Sequence, residues 1–357
     1  MQPIDFESKD SIFFANPKLS SHFYPLKWEN FNSLSSHIWI ATSGTTQEKG
    51  DSIKWVALSK QAFLSSAKAV NTHLESNSSD HWLNALPLFH VGGLSIYARA
   101  FLSGASVTHL EFEKWSPANY ITALNQSKAT LTSLVPTQLF DLLSYEAPSH
   151  LRAVIVGGGS VSEELYRCAI HKKWPVLPSY GMTECSSQVA TAHFGATTLK
   201  ILPHVKCSLS QEGLLQIKSS ALLTGYLSVA QDEVYWQDPK LNGIFTTEDL
   251  VEIREGTIKF LGRQKDWIKI GGENVSLFQL EIFFNKIKNP SIEAFLRATE
   301  DKRLGKFIQL VTLDKHKNVI QPLVATFNAG VMPYEKIRSI HYVNEIPKSA
   351  LGKLKKH

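Results

Sequence analysis

Between about Ser36 and Gly181 the chain alternates short apolar runs with segments of helical periodicity, and that order leaves few folds open. IWIAT (38–42) reads as a buried strand, after which Phe63, Ala67, Val70 and Leu74 fall on one helical face. WLNAL (82–86), SVTHL (106–110), ATLTSLV (129–135) and AVIV (153–156) read as further strands. One helix opens with Ser116 as N-cap and Pro117 at its first position, and another starts near Thr137. Ser160 and Glu163 have the spacing of a capping box ahead of a third. Strands in this order pair side by side under covering helices, so an α/β fold with a mostly parallel sheet is expected.

After Thr197 the pattern changes to short strands and compact turns. CSLSQEGLLQIKS (207–219) and LVEIREGTIKFLG (250–262) each place Glu-Gly between two alternating runs, a hairpin signal. Beyond Gly262 come an amphipathic stretch (Ser276 to Ile287), strands near 293–298 and 307–313, and a lysine-rich end. The organisation expected is a large N-terminal domain over 1–264, with a β-rich subdomain over about 197–264, and a small α+β C-terminal domain over 265–357.

With 43% hydrophobic and 19% charged residues, the 357-residue chain has the composition of a globular protein, which excludes disorder and fibres. Cys168, Cys185 and Cys207 form no CxxC pair, which argues against a disulfide framework and a zinc site and fits a reducing cytoplasm. The N-terminus lacks a secretory pattern, and Ala85–Ala105 is interrupted by His90, Gly92, Gly93 and Arg99, so no membrane span is expected. The net charge is +5, with 16 basic and 9 acidic residues from Lys265 onward. A nucleic-acid surface would interleave aromatic residues with those charges on one face, and the lysine-rich end offers none.

Three loops carry polar or glycine-rich chemistry at expected strand ends, where open α/β sheets bind ligands. Thr42-Ser43-Gly44-Thr45-Thr46 offers backbone N–H groups and hydroxyls suited to a phosphate chain, although an ordinary Ser/Thr turn would look the same and GxxxxGK[ST] is absent. Gly157-Gly158-Gly159 presents flat backbone suited to a base, or only a tight turn. Ser179-Tyr180-Gly181-Met182-Thr183-Glu184 adds a hydroxyl and a carboxylate able to hold Mg²⁺.

Taken with LPLFHVGGL (86–94), VPTQL (135–139), VGGGSVSEEL (156–165), LTGYL (223–227), IFTTEDL (244–250), GRQKDWIKIGGENVS (262–276) and IPKSALGK (346–353), these loops resemble the adenylate-forming acyl-CoA synthetase superfamily, motif by motif and in order. The resemblance implies that Thr42, Ser43, Gly44, Thr45 and Thr46 grip the ATP phosphates, that Thr183 contacts phosphate and that Glu184 holds Mg²⁺. It implies that Gly157, Gly158, Gly159 and Tyr180 flank adenine, with Gly181 a further cofactor-binding residue, that Asp249 takes the ribose hydroxyls and that Arg263 assists there. Lys265 matches the hinge of a mobile C-terminal domain, Gly271 and Gly272 the loop lining the pantetheine tunnel, and Lys353 the catalytic lysine. His90 matches a histidine that closes the acyl pocket, although a histidine in an apolar run is more often a core residue. Lys353 sits in a lysine run that spacing alone would assign to a solvated tail. Cys185 has no visible base beside it and reads as packing.

The phosphate loop departs from the family pattern. Thr46 is followed by Gln47-Glu48-Lys49-Gly50-Asp51-Ser52-Ile53-Lys54, so Lys49 and Lys54 both compete for the phosphate role, and register favours Lys54. Glu248 stands where the family carries glycine. The phosphate loop starts at residue 42, so part of the usual N-terminal subdomain is expected to be shortened or supplied by another subunit in a homo-oligomer.

Within the superfamily the motifs look most like o-succinylbenzoate-CoA ligases of menaquinone synthesis. This implies a small carboxylic acid, ATP, Mg²⁺ and coenzyme A as reactants and cofactor, in the cytoplasm. The second carboxylate of such a substrate needs a donor or cation, and Ser186, Ser187, Gln188, Thr137 and Arg99 are candidates. The alternatives are another aryl- or acyl-CoA ligase, or a non-catalytic adenine-nucleotide-binding relative.

Overall fold

The computed structural model describes residues 4–17, 34–42, 52–110, 115–230 and 233–346. The described chain divides into two compact units. The first comprises Met1–Ser208, Gln216–Thr246 and Ile253–Ile258, and the second Leu209–Leu215, Thr247–Glu252 and Lys259–His357. The longest segment of the second unit starts at Lys259, and its two shorter segments come from residues 209–215 and 247–252.

The first unit opens with β1 (Ile12–Phe14), β2 (His37–Thr42) and β3 (Ser52–Ser59). β2 runs parallel to β1 and antiparallel to β3, with His37 opposite Ser59 and Thr42 opposite Lys54. This corrects the expectation that IWIAT starts the parallel sheet. The apolar run of β3 directly after the hydroxyl loop folds back as a hairpin partner, leaving no room for a crossover helix.

Helix α1 (Lys60–Leu74) follows at once, its first turn capped by Ser59 Oγ accepting from the Ala62 N–H, a contribution of about 1 kcal/mol. The alternation read from sequence then appears as β4 (His81–Asn84), α2 (Val91–Ser103), β5 (Ser106–His109), α3 (Pro117–Ser127), β6 (Leu131–Leu134), α4 (Pro136–Asp141), β7 (Ala153–Val156), α5 (Glu163–His171) and β8 (Val176–Met182). The strands lie in the order β5-β4-β6-β7-β8, all parallel. Side chains alternate between two cores, as the two-residue strand period requires. Trp82, Leu131, Ile155 and Leu177 meet Val70, Leu74 and Ile96 on one side. Leu83, Leu134, Val154, Val156 and Val176 meet Tyr120, Leu124, Leu139 and Tyr166 on the other.

Two local expectations are corrected. β4 stops at Asn84 instead of running to Leu86, because the Asn84 side chain turns the chain: Oδ1 accepts the Leu86 N–H and Nδ2 donates to the Gly93 carbonyl. The cap of α5 is Ser162, not Ser160. Ser162 Oγ accepts the Leu165 N–H, and this register puts Glu163 and Glu164 together at the positive end of the helix dipole.

At the edge of the sheet where its parallel strands begin, Asp80 joins three of them. It accepts from Thr130 Oγ1 at 2.7 Å and from Arg152 Nε at 2.7 Å. Burial would raise its pKa, but the bonds from Arg152 and Thr130 outweigh that and hold it at about 2. The opposite edge is left to loops.

After β8 the chain turns into antiparallel structure, with β9 (Ser187–Thr191), β10 (Leu199–Ile201), β11 (Val205–Leu209), β12 (Leu214–Ser219), β13 (Gly225–Ala230), β14 (Glu233–Gln237), β15 (Lys240–Leu241), β16 (Ile244–Arg254) and β17 (Thr257–Arg263). β13 pairs with β3 and with β14, extending the first sheet around a core of Trp39, Trp55, Leu227 and Val229. Both expected hairpins form, and in the second the turn residues Glu255 and Gly256 both have positive φ (47° and 73°), as a two-residue hairpin turn requires.

The second unit contains the hairpin of β18 (Trp267–Ile270) and β19 (Glu273–Ser276), then α6 (Leu277–Ile287), β20 (Ala294–Asp301), β21 (Gly305–Leu313), α7 (Lys317–Ala329) and β22 (Ile337–Val343). β20 and β21 are antiparallel, whereas α7 carries the chain across to the parallel β22. Ile268, Ile270, Leu280, Phe284, Ile308, Leu310, Ile320 and Phe327 form its core. Among the described residues no helix is long and apolar enough to cross a membrane.

Candidate active site

Because β4, β6, β7 and β8 are parallel, the loops after them emerge on one edge. These loops carry His90, Pro136, Gly157–Gly159 and Thr183–Glu184. Val156 pairs with Pro178, so the glycine run starts beside Ser179 and Tyr180. A Cβ on Gly157 would lie 2.7 Å from Ser179 Oγ. Gly158 and Gly159 are exposed, and the three present a side-chain-free ledge next to Tyr180.

Gly181 sits at a register shift between β8 and β9, where a Cβ would lie 1.8 Å from the Ser187 carbonyl oxygen. Only glycine fits, and the turn beyond it is under strain, with Ser186 and Ser187 both at positive φ (51° and 120°). This turn holds Thr183 and Glu184 half-buried at the end of β8. Cys185 behind them is fully buried, and burial together with the Glu184 charge pushes its thiol well up, in keeping with packing.

Thr42 ends β2, where its hydroxyl donates to the Lys54 carbonyl at 3.2 Å. Ser43, Gly44, Thr45, Thr46 and Lys49 lie outside the described residues. Lys54 projects from β3 with its ammonium 4.0 Å from the ring centroid of Tyr226 on β13. The Tyr226 hydroxyl donates to Glu184 Oε1 at 2.9 Å. Lys54, Tyr226 and Glu184 thus form one cluster. The sequence does not mark Tyr226 as a site residue, although it lies in the matching LTGYL motif, because nothing local indicates which way its side chain reaches.

His90 occupies the N-cap of α2, its carbonyl accepting from Gly93 and Leu94 and its ring 4.8 Å from that of Phe89. Deeper on the same helix lies Arg99, 1% exposed. Its guanidinium lies 5.6 Å from the ring of Trp82, and Nη2 donates to Ser187 Oγ at 3.2 Å. Nε is buried without a hydrogen-bond acceptor, and no carboxylate among the described residues pairs with Arg99. Burial lowers its pKa to about 9, which leaves it charged at neutral pH. Of the other candidates for a second carboxylate, Ser186 donates to the Ala221 carbonyl and Gln188 accepts from Thr191, while Thr137 is exposed.

In the second unit the buried Asp249 accepts from Arg263 Nε at 3.1 Å, and its own N–H donates to Thr247 Oγ1. The two residues expected at the ribose are thus an ion pair. Lys265 is exposed in a single 3-10 turn (Gln264–Asp266). Gly271 and Gly272 form the β18–β19 turn, with φ of 60° and 92°. Lys353 lies outside the described residues.

Residues 33–213 match the family model described as AMP-binding enzyme. A 2-succinylbenzoate--CoA ligase of Bacillus pumilus is 30% identical over 310 residues, which are 82% of this chain and 62% of that protein. One from Staphylococcus aureus is 27% identical over 342 residues, covering 92% of this chain and 67% of the relative. The chain therefore spans about three fifths to two thirds of the length of these relatives. Among solved structures, the o-succinylbenzoate CoA synthetase of Bacillus subtilis in complex with an acyl-adenylate intermediate superimposes with a TM-score of 0.74 at 25% identity, covering 89% of this chain and 67% of that one. Its complex with AMP gives 0.75 at 27% identity, with the same coverage. ATP-bound MatB from Rhodopseudomonas palustris, at 22% identity and a TM-score of 0.74, covering 89% of this chain and 66% of that one, shares the fold.

Proposed function

The chain belongs to the AMP-binding enzyme family, and from that premise we propose that it is an ATP-dependent acid-CoA ligase acting on o-succinylbenzoate. The carboxylate attacks the α-phosphorus of ATP and expels pyrophosphate, and the coenzyme A thiol then displaces AMP from the acyl-adenylate to give the thioester. The likeness to the 2-succinylbenzoate--CoA ligases supports the substrate class.

The single observation favouring a diacid over a simple acid is Arg99, a buried cation with no anion beside it among the described residues. An unpaired buried charge is costly, and a site that keeps one is suited to a ligand carrying the missing anion. In this reading Arg99 and Ser187 hold the carboxylate that does not react, while His90 closes the acyl pocket around the one that does.

The residues present fit a magnesium-nucleotide. Glu184 uses Oε1 toward Tyr226, and Oε2 accepts no hydrogen bond among the described residues, leaving an oxygen donor for a hard cation. Bound there, magnesium would neutralise charge on the departing pyrophosphate. Thr42, Thr183 and Lys54 hold phosphate oxygens, and the ledge of Gly157–Gly159 with Tyr180 and Gly181 takes adenine. Asp249 accepts the ribose hydroxyls with Arg263 beside it, which a carboxylate can do with two oxygens. Lys353 screens the repulsion between carboxylate and α-phosphate, Lys265 serves as the pivot of a moving C-terminal domain, and Gly271 and Gly272 line the path of the pantetheine arm.

Exchange of labelled pyrophosphate into ATP tests this reading. It is expected to require an acid, and o-succinylbenzoate is expected to support it better than benzoates or fatty acids. Exchange with a monoacid alone would favour another aryl- or acyl-CoA ligase, and no acid-dependent exchange would favour a nucleotide-binding relative without catalysis.

A further inference from the structure

Lys54 and Glu184 carry opposite charges on neighbouring parts of the first unit, and yet they do not pair with one another among the described residues. A single side chain engages both. The ring face of Tyr226 meets the Lys54 ammonium at 4.0 Å, and its hydroxyl meets Glu184 Oε1 at 2.9 Å. A cation over a tyrosine face is held by the ring quadrupole, an attraction that leaves its N–H donors uncommitted. A carboxylate that accepts one hydrogen bond keeps its second oxygen.

The segment presenting this tyrosine is fixed independently. The Leu223 N–H donates to the Glu184 carbonyl at 2.8 Å, and the Thr224 N–H donates to the Ala57 carbonyl at 2.8 Å. The Lys240 ammonium donates to the Leu223 and Thr224 carbonyls at 2.7 and 3.0 Å and pairs with Asp238 at 2.7 Å. Glu184 is therefore gripped twice by the same segment, through its main chain by Leu223 and through its side chain by Tyr226.

We propose that Tyr226 is a positioning residue that keeps Lys54 and Glu184 apart, holding the carboxylate toward a divalent cation and the ammonium toward phosphate. The inference rests on the functional reading above. Without the ring, the two side chains would satisfy each other, and each would be withdrawn from its ligand.

The test uses the full chain and equilibrium binding, with no turnover. Mn²⁺ binding to the nucleotide-free chain is read from the loss of the free-ion paramagnetic resonance signal, and inorganic pyrophosphate binding is read in separate samples by calorimetry. Tyr226→Phe keeps the ring and removes the hydroxyl, so Mn²⁺ should bind about fivefold more weakly, the loss expected for one hydrogen bond of average strength, with pyrophosphate unchanged. Tyr226→Ala should weaken both by about tenfold or more. Removing the cation as well, in Tyr226→Ala with Lys54→Met, should return Mn²⁺ affinity to the level of Tyr226→Phe, a recovery that general loss of folding would not give.

If Tyr226→Ala leaves either affinity at the wild-type value, or the double variant recovers no Mn²⁺ affinity, the spacer role is overturned while the ligase reading stands. A wild-type chain that binds neither probe overturns both.

Discussion

Replacing Arg99 by leucine should raise the KM for o-succinylbenzoate by about a hundredfold or more while leaving the KM for ATP unchanged. Removing one member of a buried, hydrogen-bonded charge pair typically costs about 2–5 kcal/mol. The pair in question forms only when the substrate arrives, so the loss falls on binding of the acid. In the same variant, preference over an analogue lacking one carboxylate should vanish. The unliganded protein should meanwhile gain stability, because Arg99 is buried without a carboxylate and an apolar side chain of similar volume relieves that cost. A raised melting temperature with lost selectivity would separate this role from a structural one. Retained selectivity would remove Arg99 from the acyl pocket.

Glu184→Gln is expected to lower the maximal rate of acid-dependent pyrophosphate exchange by about two to three orders of magnitude, the effect of removing one key electrostatic group from such a site. Glutamine keeps a carbonyl oxygen for the Tyr226 hydroxyl, so the local strut survives and only the charge is lost. Thioester formation from supplied acyl-adenylate needs no pyrophosphate to leave and should fall much less. An equal fall in both half-reactions would contradict the assignment.

The parallel strands were legible in the sequence because each is a short apolar run bounded by helical periodicity, and AVIV was found at its observed limits, Ala153–Val156. IWIAT was misplaced because a buried strand of the antiparallel sheet has the same apolar signature as one in a parallel sheet. Its partner β3, the IKWVALS run, follows directly on the hydroxyl loop, whose polar residues mask the hairpin signal between the two strands. α7 and β22 are not legible in the sequence: α7 carries Pro322 in its interior, and β22 mixes buried, half-buried and exposed positions without a strict alternation.

Among the site residues, glycines and loop acids were readable from local chemistry, as with Gly181, whose missing Cβ makes room for the Ser187 carbonyl. Arg99 was only one of several candidates for the second carboxylate, because burial without a partner is a property of the packed helix and not of the local sequence. Tyr226 was not singled out at all. Its contacts join residues 172 positions apart on one side and 42 on the other, and only pairing of β13 with β3 brings them together.

Attack of a substrate carboxylate on the α-phosphorus of ATP would leave one carboxylate oxygen in the AMP that is released. Turning over o-succinylbenzoate labelled with ¹⁸O in both carboxylates, in the presence of ATP, magnesium and coenzyme A, tests it most directly. Mass spectrometry should find one ¹⁸O in each AMP, left behind when the thiol displaces it from the acyl-adenylate, and none in pyrophosphate. Unlabelled AMP, or ADP accompanied by labelled inorganic phosphate, would contradict the account.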